Sequence, residues 1–318
     1  MARNKKTSES LFQFMNLLIA LLLKNGQLRT MQHYKATLNS YMRFRGDKDI
    51  TFKEIDAKEM QSYEAYLKNV AKVCNNTSSF YLRILRATYN KAVEKGYATQ
   101  QNPFKNVYTG VAKTDKRANP TESVSSIKRL DSTTALTPKQ ELARDTFMMC
   151  FYLRGISFID LAHLRKSDLK DGFISYTRSK TGQRISIRWE KEMQDIVDKY
   201  QAQTADSTYL FPFLTSGTNC KNGTLQDKRQ EELRLYHNAE SRITYHLKKL
   251  GAKMGVNGKL TLYVARHTWA TTARDKQVPI SVISMALGHN SETTTQIYLR
   301  SIQSSEVDDA NAKILAAI

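Results

Sequence analysis

The stretch ALGHNSETTTQIYLR, residues 286–300, places a Gly-His pair nine residues ahead of a tyrosine. Tyr298 follows Thr293, Thr294, Thr295 and Gln296, whereas a tyrosine that only fills a core usually sits among apolar neighbours at helical spacing. Two roles are therefore open to it, packing or nucleophilic attack through its phenol oxygen. Upstream, in chain order, stand Lys180 in SKTGQ, then YVARHTWAT at 263–271 with Tyr263, Arg266 and His267, then LGHN at 287–290 with His289. Each has a bland reading. A turn lysine is usually solvated, His289 after a glycine could cap a helix, and Tyr298 is one of 16 tyrosines. The ordered set carries more information than any member of it.

The elements that must position these groups are legible as patterns. At 318 residues, with 41% apolar and 25% charged content, the chain is long enough for two folded domains. Its net charge of +19, from 49 Lys and Arg against 30 Asp and Glu, points to a polyanionic partner, nucleic acid ahead of membrane. Cys74, Cys150 and Cys220 are odd in number and widely spaced, which gives no disulfide framework or zinc spacing and suits a reducing cytosol. The opening LFQFMNLLIALLL superficially resembles a secretory signal. Gln13 and Asn16 interrupt it, Lys24-Asn25-Gly26 stands where small cleavage-site residues belong, and the run is too short to span a bilayer. It reads as an amphipathic first helix capped by Ser8 or Ser10.

Helical spacing continues with Tyr34, Leu38 and Tyr41, then with Met60, Tyr63, Leu67 and Val70. A third pattern runs from about Ser79 to Lys95, with Phe80, Ile84 and Ala87 inward and Arg83, Arg86 and Lys91 outward, stopped by Gly96. Residues 1–105 are thus expected to form a helical DNA-binding bundle and the Ser/Thr/Lys/Pro-rich 106–122 a linker. Residues 123–318 would form the second domain, mainly α with a small β-hairpin in which GFISY and RISIRW flank the turn glycine Gly182. TYLFPFL reads as a further extended piece, and Val307, Ala310, Ile314 and Ile318 make an apolar stripe for a C-terminal tail helix.

The set Lys180, Y-V-A-R at 263–266, L-G-H at 287–289 and Tyr298 resembles the catalytic domain of the tyrosine recombinase (phage integrase) family, and the N-terminal half resembles that family's helical, SAM-like core-binding domain. The resemblance spans essentially the whole chain. It implies a site-specific enzyme that cleaves and rejoins duplex DNA without metal or cofactor, as a homotetramer on paired sites, in integration, excision or inversion. By that resemblance Tyr298 attacks phosphorus and leaves a 3′-phosphotyrosyl bond and a 5′-hydroxyl. Arg266 clamps the phosphate, Lys180 is the general acid toward the 5′-oxygen, and His289 donates a hydrogen bond to the phosphate. The histidines and cysteines show no ligand cluster, and no phosphate-cradling glycine loop is visible.

Two positions depart from the family pattern. Tyr263 stands where a histidine is usual, and a phenol is a poor base near neutral pH. The neighbouring His267 should point elsewhere on a helix, since consecutive residues diverge by about 100°. In the first motif, aligning DLAHL puts Ser157 where an arginine belongs. Arg154, three residues earlier and on the same face of a helix, is the expected substitute, with Arg178, two residues before Lys180 on the strand, as the alternative. These departures sustain a second reading, a non-catalytic accessory protein derived from a recombinase. A type IB topoisomerase is a third.

Overall fold

The computed structural model describes residues 10–112, 121–133, 136–215, 224–255, 260–300 and 315. The tail stripe and Cys220 lie outside the described residues. The chain divides into two compact units, Met1–Thr114 and Asp115–Ile318.

The first unit is built on helices α1 (Leu11–Lys24), α2 (Leu28–Arg45), α3 (Ala57–Asn69) and α4 (Asn75–Glu94). Ser10 is the residue before α1, yet its side chain makes no capping bond. The opening donors go instead to a distant loop, Leu11 N–H to the Ile50 carbonyl at 2.9 Å and Phe12 N–H to Asp49 Oδ1 at 3.0 Å. A carboxylate at a helix N-terminus also complements the partial positive charge there. Asp56 caps α3 more conventionally, accepting from Glu59 N–H at 2.7 Å. Gly46, at φ +59°, ends α2 in the left-handed conformation, and Asp47 N–H returns to the Met42 carbonyl.

The core of this unit gathers Leu11, Phe14, Met15, Leu38, Tyr41, Met60, Tyr63 and Leu67. Its buried phenols are satisfied, Tyr63 donating to Ser40 Oγ and Tyr41 to Glu59 Oε1, both at 2.8 Å. Two expectations are corrected here. Val70 is exposed, because α3 has already ended at Asn69. On α4 the buried stripe is Leu82, Leu85, Tyr89 and Ala92, while Phe80, Ile84 and Ala87 are only half-buried. The helix carries two apolar stripes side by side, and the better packed one faces the core.

Residues 106–112, expected as the start of the linker, pack on this unit instead. Val107 is buried, and Asn76 brackets Ala112 by accepting from its N–H at 2.8 Å and donating to its carbonyl at 3.1 Å.

In the second unit, helices α5 (Thr121–Thr133), α6 (Pro138–Tyr152) and α7 (Phe158–Ala162) precede an antiparallel sheet. Thr137 and Gln140 form a reciprocal capping box at the start of α6, with Pro138 at its first position. Strands β1 (Leu169–Lys170), β2 (Phe173–Thr177) and β3 (Arg184–Arg188) lie in that order, with Ile174 opposite Ile187 and Tyr176 opposite Ile185. The alternation buries Ile174, Ile185 and Ile187 on one face. Helices α8 (Lys191–Lys199), α9 (Leu225–Lys253), α10 (Leu262–Asp275), α11 (Ile280–Ala286) and α12 (Glu292–Arg300) follow. Helix α6 is the axle, packed against α5, α8, α9 and α10 with Phe147, Met149 and Cys150 fully buried. TYLFPFL contributes Leu210, Phe211, Phe213 and Leu214 to the core, with Tyr209 bridging to Arg165, but makes no strand.

Asp49→Ala should lower the stability of the first unit by about 1 kcal/mol, the usual cost of a lost N-cap acceptor. Asp49→Asn, which keeps an acceptor oxygen, should lose less. Denaturant melts of the full chain measure both.

Candidate active site

Arg266 reaches the site from α10 and is buried at 6% exposure. Its approach depends on Gly155, in the turn between α6 and α7 at φ +75°. A Cβ there would sit 2.6 Å from Arg266 Cγ and 2.8 Å from its Cα, so only glycine lets the turn lie against α10. The guanidinium donates to the Gly155 carbonyl at 2.7 Å and to the Leu287 carbonyl at 2.6 Å, and its Nη2 lies 3.1 Å from His289 Nε2.

Arg178 follows β2 and is also buried, at 9% exposure. Its Nη1 donates to the carbonyl of Gly288, the residue after the one whose carbonyl Arg266 takes. Gly288 is at φ +64°, and a Cβ on it would meet Ile185 Cδ1 at 2.9 Å and Arg178 Cδ at 3.1 Å. The hairpin therefore closes onto the Leu-Gly-His turn through a glycine. Each buried guanidinium holds backbone oxygen, and among the described residues neither forms an ion pair with a carboxylate. Burial, and then the charge of Arg178, hold the Arg266 pKa below its ordinary value. Two buried cations without an acid between them make a receptor for an anion.

His289 is neutral in this setting. Burial first, then the charges of Arg266, Arg178 and Lys180, push its pKa down to about 4. Its Nε2 faces an arginine N–H and must accept, so the ring proton sits on Nδ1 and is donated to Thr295 Oγ1 at 2.8 Å. In this tautomer Nε2 carries no N–H to offer a phosphate.

Tyr298, on α12, is buried with its ring flat against His267, the centroids 4.8 Å apart and the planes at 3°. His289 and Tyr263 approach it edge-on at 5.9 Å and 6.4 Å. Burial raises the phenol pKa well above its ordinary value, Tyr263 adds to this, and Arg266 opposes it. Tyr263, half exposed at 52%, stands one helical turn before His267, with its ring edge-on to it at 4.5 Å. Lys180 is exposed in the hairpin turn, near enough for its charge to act on His289. The turn is tethered by Asp160, which accepts from Ser179 N–H at 2.9 Å and from the Ser157 hydroxyl at 2.5 Å.

Of the residues named from the sequence, Tyr298, Arg266, His289, Tyr263 and Arg178 come together, with Lys180 at the rim. Arg154 does not join them. Its expected position needed a helix running through 154–157, but α6 ends at Tyr152 and both Arg154 and Gly155 take left-handed backbone angles, φ +56° and +75°. The three-residue spacing to Ser157 therefore no longer means one face. Among the described residues Arg154 makes no hydrogen bond or ion pair with the cluster.

His267 is a correction in the opposite sense. It does diverge from Arg266 along α10, and the direction it takes leads onto Tyr298. Arg83, Arg86 and Lys91 are exposed on α4, with Arg86 donating to Thr109 Oγ1 at 2.8 Å and Lys91 lying over the Tyr34 ring. No group of three or more His, Cys, Asp or Glu residues suited to a metal ion occurs among the described residues.

Two family profiles cover most of the sequence, the phage integrase SAM-like domain over residues 10–109 and the phage integrase family over residues 124–304. The chain belongs to the phage integrase family of tyrosine recombinases. Among curated relatives, tyrosine recombinase XerC of Leptospira interrogans is 24% identical over 286 residues, 87% of this chain and 84% of that protein. Tyrosine recombinase XerA of Pyrococcus furiosus is 28% identical over 166 residues, so the match spans about half of each protein, 51% of this chain and 52% of the relative.

The fold is similar to that of a lambda integrase (75–356) dimer bound to a COC′ core site, with TM-score 0.60 and 16% identity over 91% of this chain and 95% of that one. It is also similar to XerH site-specific recombinase in a post-cleavage complex with a palindromic difH substrate. There the TM-score is 0.64 at 15% identity, over 92% of this chain and 80% of that one.

The depressed pKa of His289 has a stability consequence with a definite sign. Its folded value of about 4 lies below the ordinary 6.5, so the unfolded chain binds more protons between them. The contribution is fully present above about pH 6.5 and is lost as pH falls toward about 4. His289→Gln should flatten the pH dependence of unfolding in that window relative to the parent, as thermal melts across the range would record.

Proposed function

We propose that this chain cleaves and rejoins duplex DNA at specific sites, with Tyr298 as the nucleophile. The observation that carries the reading is the convergence of Arg266, Arg178 and His289 around a buried tyrosine, with no carboxylate ion-paired to either guanidinium among the described residues. A phosphodiester brings the anion that this arrangement lacks.

In cleavage the Tyr298 oxygen forms a bond to phosphorus and the bond from phosphorus to the 5′-oxygen breaks. The phenol proton passes to water, Lys180 gives a proton to the departing oxygen and regains one from water, leaving a 3′-phosphotyrosine and a 5′-hydroxyl. Rejoining reverses each step, so the covalent bond conserves the phosphodiester and no external energy source is needed.

Arg266 and Arg178 neutralise the non-bridging oxygens. The charge that develops there is stabilised most by donors already oriented before the reaction. Arg178 takes the place of the arginine missing at Ser157, in preference to Arg154. This is supported by its burial, its hold on the Gly288 carbonyl and its electrostatic reach to both Arg266 and His289.

A phosphate beside His289 raises its pKa, because an adjacent anion favours the imidazolium, and so supplies an N–H at Nε2. The Tyr263 phenol, at the position usual for a histidine, serves as a hydrogen-bond donor rather than a base. Arg83, Arg86 and Lys91 contribute phosphate contacts from the first unit. The non-catalytic alternative drew on the departures at Ser157 and Tyr263, and the second guanidinium in the cluster counters the first of them.

Assembly as a tetramer on paired sites, in the cytoplasm, belongs to this proposal. It is supported by the likeness in fold to lambda integrase, one structure of which is a tetramer bound to a Holliday junction.

Incubated with a nicked target duplex, the protein should form a DNA adduct that survives SDS, whereas Tyr298→Phe should bind the same duplex and form none. An adduct with the phenylalanine variant would assign the nucleophile elsewhere. For the arginines, Arg178→Ala should slow adduct formation by about 10²-fold or more, as the loss of a preorganised charged donor does. Arg154→Ala should remain within a few-fold of the parent. The reverse order would return the role to Arg154.

A further inference from the structure

We infer that His267 is a positioning residue for the nucleophile, its imidazole serving as the flat plate that fixes the plane of the Tyr298 ring. This rests on the reading of Tyr298 as the nucleophile. The two rings are parallel within 3° at 4.8 Å, and both are buried, His267 at 4% and Tyr298 at 6% exposure. Tyr263 meets the same imidazole edge-on at 4.5 Å, so the plate is itself held against movement along α10. From the remaining sides Tyr298 meets the edges of His289 and Tyr263.

A ring stacked on one face can slide or pivot in its plane but cannot tilt out of it. That leaves the phenol oxygen confined to an arc. Arg266 lies near enough to act on the ionisation of that oxygen. Positioning of this kind matters because attack requires the oxygen in line with the breaking bond. A displacement near 1 Å is enough to cost about 10²-fold in rate.

The backbone supports the assignment. The His267 carbonyl accepts from the Thr271 hydroxyl at 3.0 Å within α10, the same helix that delivers Arg266. One rigid element therefore sets both the phosphate clamp and the plane of the attacking ring. Consecutive positions on a helix point about 100° apart, which lets Arg266 face the Leu-Gly-His turn while His267 faces α12.

The test replaces the plate with side chains that do or do not keep it flat. With a nicked duplex at saturating concentration, His267→Leu, apolar but not planar, should form the Tyr298 adduct about 10²-fold more slowly. Its DNA affinity should be unchanged. His267→Phe, planar but without ring nitrogens, should recover most of the rate. A leucine variant as fast as the parent, a phenylalanine variant as slow as the leucine one, or a loss confined to affinity would each overturn the inference.

Tyr298→Phe runs alongside as a control. An adduct in that variant would remove the nucleophile reading, which is separable from any outcome at His267. Should the leucine variant be too unstable to bind DNA, the parent chain carrying 3-fluorotyrosine at position 298 decides. Its ¹⁹F resonance should show the ring-current shift of a nucleus held over an aromatic face, and a resonance at the position of an unstacked fluorotyrosine would refute the stack.

Discussion

Two guanidinium groups held by two successive backbone carbonyls organise the catalytic unit. Arg266 takes the Leu287 oxygen and Arg178 the Gly288 oxygen, just past the C-terminal end of α11, where unpaired carbonyls concentrate partial negative charge. Through this pairing α10, the β2–β3 hairpin and the Leu-Gly-His turn become one body. The carbonyls lower the cost of burying two like charges side by side without neutralising either one. Burial first, and then the field of this pair and of Lys180, make His289 a neutral acceptor. A carboxylate in the same place would hold the arginines equally well and leave nothing for a phosphate to gain.

Glycine makes the pairing sterically possible at two points far apart in sequence. Gly155 admits the Arg266 side chain and Gly288 admits the hairpin, and in each case an added Cβ would fall within 3 Å of a neighbouring atom. Asp160 supplies the remaining tie by joining Ser157 to the turn that carries Lys180. The serine that replaces an expected arginine is therefore not idle. Its hydroxyl helps hold the carboxylate that steadies the lysine's turn, while Arg178 brings a second guanidinium to the cluster from the hairpin.

Much of this was readable from spacing. Lys180, Arg266, His289 and Tyr298 stand in short local motifs whose order survives folding, and the hairpin announced itself through alternating GFISY and RISIRW around Gly182. Local periodicity could not choose between Arg154 and Arg178. That choice depends on a left-handed pair of residues that breaks the helix after Tyr152, and on a contact between residues 178 and 288. His267 was missed for a related reason. The helical angle between neighbours separated it from Arg266, but nothing in the local sequence said that α12 occupies the face it turns toward. On α4 two apolar stripes of similar quality lie side by side, and only packing picks Leu82, Leu85, Tyr89 and Ala92 over Phe80 and Ile84.

Tyr298 is also a structural member of its surroundings. With Ala270, Ile283, Leu287 and Leu299 it makes up a small buried cluster, separate from the large core around α6. A satellite of this size holds its helices with a small fraction of the domain's cohesion, and such regions open locally at free energies well below that of global unfolding. Tyr298 is thus part of the packing that anchors its own helix. The stack on His267 sets the plane of its ring and at the same time ties α12 to α10. A change at that stack would therefore reach the ring and its helix together, and hydrogen exchange of the α12 amides would register it as a change in protection while the core around α6 stays closed.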